Sequence, residues 1–362
     1  MPHPTHPDPT HTHPTPPGPK QPAPASLRLV ALITALILLA AAAVFWSGLL
    51  LMGFAAILIA IALRAGARGL HALTGLPMRG GVPVVLLAVL ALAALGLRLA
   101  GRSVADQFGQ LVQTLPQSWQ AARDTLSGLP GADSLLGRID DGLRSGEMAQ
   151  RLPDMLGMVL GGLNSALGVL SSVFLMLILS VYLAMEGDLY RRGAIRLVPI
   201  RHRPRAARIL DELAGQLGRW MAGQALDMII VAVLVGVGLW LLDVPLALIL
   251  AVIAGLTNIV PIIGPFLSGA VAVLVALPQG LDTALWVAAM FTVIQVLEGD
   301  VLMPMIQKYA VALPPALTLL ALIAVGALFG PAAVILATPL LIVAMHLIRR
   351  IYVEDVLGDP TD

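Results

Sequence analysis

The chain has 362 residues, 58% of them hydrophobic and 12% charged, with no cysteine and a formal charge of +1. A soluble domain is about 45–50% apolar and about 25% charged, so an ordinary soluble globule is excluded. Disulfides and thiolate metal sites are excluded with it, and the balance is not that of a nucleic-acid binder.

Residues 1–26 are rich in proline and carry His3, His6, His11 and His13. Such a segment buries too little apolar surface to fold and is read as a solvated tail, a transition-metal site being the alternative for its histidines. It has neither the basic start nor the small-residue cleavage site of a signal peptide. Apolar runs at about 27–46, 49–63 and 82–100 predict three transmembrane helices within 27–101, since about 20 apolar residues match a hydrocarbon core of about 30 Å. Backbone groups find no water there, and the runs show no period-2 alternation, so the spans are helices and not barrel strands.

Residues 102–154 are polar. Val104, Phe108, Leu111, Leu115, Trp119, Ala122 and Leu126 repeat at helical spacing, predicting an amphipathic helical insertion packed on its neighbours. A long span follows over 155–185, then a connector over 186–221. Its stretch from 186 to 220 holds eight arginines against four acids. The positive-inside rule places that loop in the cytoplasm, together with the loop carrying Arg64, Arg68 and Arg79 and the tail at 349–362. The insertion is then extracytoplasmic and both termini are cytoplasmic.

The segment 222–348 reads as a transport unit. A span at about 222–242 precedes a short apolar stretch, a break, and a second short stretch, together 246–277. A span at about 284–303 precedes the same shape over 314–348, broken at Gly330-Pro331. Shifting the chain by 70 residues lays Pro245–Pro261 on Pro315–Pro331 with six of seventeen positions identical. Span-plus-hairpin units of opposite orientation are the plan of inverted-repeat transporters. The fold class is therefore all-α and polytopic, with about eight hydrophobic spans, two Gly/Pro-broken re-entrant hairpins and one extracytoplasmic insertion.

The break at 257–265 is the most specific local feature. Pro261 and Pro265 lack an N–H and are expected to strand the carbonyls of residues 257 and 261, while Gly255 and Gly264 permit close approach. With Thr257 and Asn258 they form either a substrate or ion site or a tight structural corner. Gln295 and Glu298 lie late in the following span. A buried carboxylate is costly and usually faces a cavity or partner, so Glu298 is either a proton or cation site or an interfacial group, and Asp227 poses the same choice. No HExxH, GxSxG or P-loop motif occurs, which predicts no enzyme, and no cofactor is expected.

The same residues resemble the autoinducer-2 exporter (AI-2E) family of PerM-like permeases over about 155–357. The resemblance is carried by Tyr182-Leu183, Pro199, Gly223-Gln224, the block from Gly255 through Asn258, Pro261 and Gly264 to Pro265, and Glu298. Pro304, Val311, Leu313-Pro314-Pro315, Gly326 to Gly330 and Pro339-Leu340 continue it in order. Three positions depart from the family pattern: Gln307 and Asp243 stand where the family tends to have glycine, and Pro314 where it often has histidine. The resemblance implies a homo-oligomeric inner-membrane permease exporting a small polar solute such as autoinducer-2, with no nucleic-acid partner. Na⁺(Li⁺)/H⁺ antiport on the same fold is the nearer alternative, and a non-transporting envelope scaffold the more distant one.

Overall fold

The structure, a computed structural model, describes residue 34 and residues 45–126, 162–302 and 313–359. The histidine tail, most of the first predicted span, the end of the insertion and Gln307-Lys308 lie outside the described residues. Residues up to Ser47 and residues from Gly48 onward form two separate compact units. The account below concerns the second.

All regular structure among the described residues is helical. The helices are α1 (Ser47–Thr74), α2 (Met78–Leu126), α3 (Gly162–Met185), α4 (Gly187–Arg196), α5 (Arg203–Leu241), α6 (Ala247–Thr257), α7 (Ile263–Ala276), α8 (Leu281–Leu297), α9 (Pro315–Phe329) and α10 (Ala337–Leu347). A π-helical turn, Glu298–Leu302, continues α8, and another, Ile348–Glu354, continues α10. Five described helices are long and apolar enough to cross a membrane, or six if the bent α3–α4 pair counts as one span. Large apolar side chains face outward, among them Leu92, Leu97 and Leu99 at 71%, 74% and 76% exposure. In water that surface would aggregate; in a bilayer it meets lipid.

Several predicted boundaries dissolve into longer helices. The third span and the amphipathic insertion are one continuous helix, α2, 49 residues long with Pro83 and Pro116 inside it. At 1.5 Å per residue it extends over about 74 Å, well beyond a hydrocarbon core of about 30 Å. Val104, Phe108, Leu111 and Leu115, the apolar stripe of the insertion, pack into the main core against α5, α6, α7 and α8. The Arg-rich connector contains α4 and the first turns of α5, so the cut at 221/222 falls within one 39-residue helix.

The arms of each predicted hairpin pack together, as α6–α7 and α9–α10. They are unequal. The eleven residues of α6 rise about 16 Å, too short to cross. In the second hairpin the returning arm continues through 3₁₀ and π turns as a 24-residue apolar run, Pro331–Glu354, long enough to cross. Gly330 ends α9, and Pro331 opens this second arm as the first residue of a 3₁₀ turn, where its missing N–H costs no helical bond.

Positive backbone angles mark the corners. Asp243 has φ +50° and Leu246 φ +61°, bracketing the entry into α6. A left-handed residue explains why the resembled family favours glycine at the position of Asp243. At the other end of α6, Ile262 has φ +73° and ψ −58°, and the Ile263 N–H donates to the Pro261 carbonyl at 2.9 Å. That is a γ-turn of the rare, strained hand, held by a β-branched residue.

Candidate functional site

α5, α6 and the end of α8 meet at one polar cluster. Its members are Gln224 and Asp227 on α5, Asn258 at the C-terminal end of α6, and Glu298, where α8 passes into its π turn. π turns inside α-helices occur frequently at functional sites. Asp227 and Asn258 are 1% exposed and Glu298 4%, so all three are withdrawn from solvent. Asp227 lies 24 residues from the start of α5, about 36 Å along the axis.

The Asn258 side-chain amide joins the two acids. Its Nδ2 donates to Asp227 Oδ2 at 2.7 Å and to Glu298 Oε1 at 3.2 Å, using both of its hydrogens. The two carboxyl groups also stand within hydrogen-bonding reach of each other. Gln224 Nε2 donates to the Asn258 main-chain carbonyl at 2.9 Å, satisfying a helix-end acceptor. At the opposite end of α6, Gln107 Oε1 of α2 accepts the Ile249 N–H at 3.0 Å. The short helix that carries Asn258 is thus held at both ends by glutamines from two other helices.

Three oxygens in the cluster have no hydrogen-bond partner among the described residues: Asp227 Oδ1, Asn258 Oδ1 and Glu298 Oε2. All are acceptors when the acids are ionised, and among the described residues no arginine or lysine bonds to either acid. An isolated buried charge costs several kcal/mol.

The main-chain oxygens expected to be free are occupied. The Thr257 carbonyl accepts the Val260 N–H at 3.0 Å, and the Pro261 carbonyl is closed in the γ-turn. The Thr257 hydroxyl donates to the Ile253 carbonyl at 2.8 Å. Gly255 and Gly264 serve close packing: a β-carbon at Gly255 would come within 2.8 Å of the Met228 carbonyl, and one at Gly264 would overlap the Thr257 carbonyl. Pro261 and Pro265 shape this corner, so the unpaired oxygens belong to side chains and not to the backbone. Gln295 is half-buried one turn before Glu298. Gly330 and Pro331 turn the second hairpin, where the Gly330 N–H donates to Gly326 and its carbonyl accepts Ala333. They pack with α9 and α10 and contribute nothing to the cluster. Gln107 carries no separate signal in the sequence, because it lies on a polar face of a segment read as an insertion.

A family model described as "AI-2E family transporter" matches residues 32–352. Among curated proteins, the chain is 31% identical over 172 residues to "Putative transport protein YrrI" of Bacillus subtilis (strain 168), covering 46% of this chain and 49% of that one. It is 28% identical over 208 residues to "Putative transport protein YueF" of the same organism, covering 56% and 55%. It is 30% identical over 182 residues to "Putative permease PerM" of Escherichia coli (strain K12), covering 49% and 52%. The chain spans about half the length of the curated relatives it matches. The family match extends over most of the chain and agrees with a multi-pass helical architecture. This chain belongs to the AI-2E transporter family.

Proposed function

We propose that the chain is an inner-membrane permease that exports a small polar solute by alternating access, driven by a proton taken up between Asp227 and Glu298, beside the Asn258 amide. One observation carries the reading: two buried carboxyl groups share a single neutral amide and leave three acceptor oxygens unpartnered. Such a cluster is costly when both acids are charged and relaxes when a proton is shared between them. Loading and unloading the proton then favours different arrangements of α5, α6 and α8, which is the differential interaction that alternating access requires.

The hairpin α6–α7 is the element that moves in this reading. It is short, hinged at the strained Ile262, and carries Asn258 on the arm between the acids. The Arg-rich segments around α4 and the start of α5 are placed in the cytoplasm by the positive-inside rule. Na⁺ or Li⁺ exchange against protons is the second reading, favoured by the same free oxygens, which suit a hard monovalent cation as well as a proton.

The test uses full-length protein in proteoliposomes containing a pH-sensitive dye, with an imposed pH gradient and added autoinducer-2, NaCl or LiCl. Proton movement coupled to autoinducer-2 supports export; coupling to Na⁺ or Li⁺ alone selects the antiport reading. Equal transport by an Asn258→Ala, Glu298→Gln double variant would remove the assignment of this site.

A further inference from the structure

Among the described residues, seven buried side-chain polar atoms have no hydrogen-bond partner. Ser118 Oγ is one. The other six concentrate on or against α5: Arg205 Nε, Gln216 Oε1 and Asp227 Oδ1 belong to it, and Asn258 Oδ1, Glu298 Oε2 and His346 Nε2 face it. At 100° per residue, Glu212, Gln216, Gln224 and Asp227 fall within about 120° of the helix circumference. They form a polar stripe rising about 22 Å from Glu212 to Asp227. Unpartnered buried groups are those that internal water satisfies.

The end of the stripe away from the carboxyl pair opens on a charged cluster. Glu212 Oε2 accepts from Arg350 Nε at 2.9 Å, and Arg350 in turn pairs with Glu354 at 2.6 Å. Arg205 pairs with Glu354 at 2.5 Å and with Asp355 at 3.4 Å. His346, only 6% exposed, stands inside this ring. Its ring bonds the Ile209 backbone, which leaves Nε2 free at 3.7 Å from Glu212 Oε2. A polar separation just beyond direct bonding is that of a water bridge. Between Gln216 and Gln224 the stripe narrows, because Trp220 lies on the same face and Leu217 packs beside Ile342 of α10.

We propose that this face of α5 is a water path connecting the Arg205–His346 end of the molecule to the Asp227–Glu298 pair, with Gln216 as its midpoint and the Leu217–Ile342 contact as its constriction. It rests on the proton-site reading for its purpose, but its existence is tested separately. The path gives the buried acids access to one side of the membrane, and a tilt of α10 at the constriction would close it.

The absence of cysteine makes the whole chain a natural background for single-cysteine probes. Gln216→Cys, with Arg208→Cys as the exposed control and Ala225→Cys as the control on the opposite, outward face, is treated with a membrane-impermeant methanethiosulfonate. Right-side-out and inside-out vesicles are compared. Reaction needs a hydrated thiolate, so Gln216→Cys should react within about tenfold of Arg208→Cys, and only from the side that carries Arg208. Ile209→Cys, nearer the entrance, serves as the second probe should Gln216→Cys fail to assemble. A Gln216→Cys rate no greater than that of Ala225→Cys overturns the path, as does labelling from the opposite side. Labelling as expected with unchanged proton movement in Glu298→Gln leaves the path standing and removes the carboxyl reading. An unreactive Gln216→Cys in a protein whose flux still needs Glu298 overturns the path alone.

Discussion

Gly264 lies so close to the carbonyl of Thr257 that a β-carbon at position 264 would overlap it. The atom in the way is backbone, so the only relief is to part α6 from α7. Gly264→Ala should therefore cost about 2–3 kcal/mol, the upper range for overpacking, and displace Asn258 from the acids. Gly109→Ala is the control: nothing lies within 4 Å of its added carbon, and alanine in a helix interior gains about 0.5–1 kcal/mol over glycine. Thermal unfolding in detergent should show Tm falling for the first and rising for the second.

The amide and the acids of the cluster should respond oppositely. Asn258→Ala removes both donors and leaves two buried carboxyl groups facing each other, an unsatisfied arrangement costing about 1–3 kcal/mol or more. Asp227→Asn instead supplies an oxygen to accept from Asn258 and hydrogens to donate to Glu298, and it removes a buried charge. Tm should fall in the first variant and hold or rise in the second, while proton-coupled flux is lost in both. A Tm for Asp227→Asn well below that of Asn258→Ala would contradict this assignment of donors and acceptors.

Ile262 stores strain at the hinge. A β-branched residue at φ +73° costs of order 1–3 kcal/mol, and Ile262, exposed as a residue to 39%, returns little of that by packing. Ile262→Gly removes the strain at an entropic cost of about 1 kcal/mol. The expected result is a Tm equal to or above the parent's, with transport reduced because the γ-turn no longer fixes the angle between α6 and α7. A clear drop in Tm would show that Ile262 is held by packing and not under strain.

How far the sequence reached depends on which force sets each feature. The membrane helices were legible because hydrocarbon imposes a long apolar run on each one, and the corner at 257–265 was legible because proline and glycine act locally. The join of the third span to the insertion was not. Residues 101–103 have no apolar signal, and the helix continues because Val104, Phe108 and Leu111 pack on helices distant in sequence. The roles of Asn258 and Glu298 were proposed separately, but their union with Asp227 depends on the crossing of α5, α6 and α8, which no local pattern encodes. The expected free carbonyls failed for a related reason: a missing proline N–H counts donors lost, whereas the γ-turn and the Val260 N–H supply replacements through geometry alone.

Arg64 organises the bend between α3 and α4, where the chain turns by 79°. From α1, its guanidinium donates to the Ala184 carbonyl at 3.2 Å, at the end of α3, and to Asp188 at 3.1 Å in the first turn of α4. The two bonds are unequal in value. Asp188 is 72% exposed, so that ion pair contributes at most about 1 kcal/mol. The carbonyl bond caps a helix end with a charged donor and is worth about 1.5–3 kcal/mol. Arg64→Ala should accordingly lower stability by about 2 kcal/mol, whereas Asp188→Ala should change it by less than about 1 kcal/mol. Gly187→Ala tests the same joint from the other side, since its β-carbon would collide with the Arg64 guanidinium. That group ends a flexible side chain and can retreat, so the variant should lose the carbonyl cap and match Arg64→Ala. In the double variant Gly187→Ala, Arg64→Ala the two losses should not add, because the collision disappears with the arginine. Additive losses in thermal unfolding would mean that Gly187 is required for the backbone of the bend and that Arg64 only decorates it.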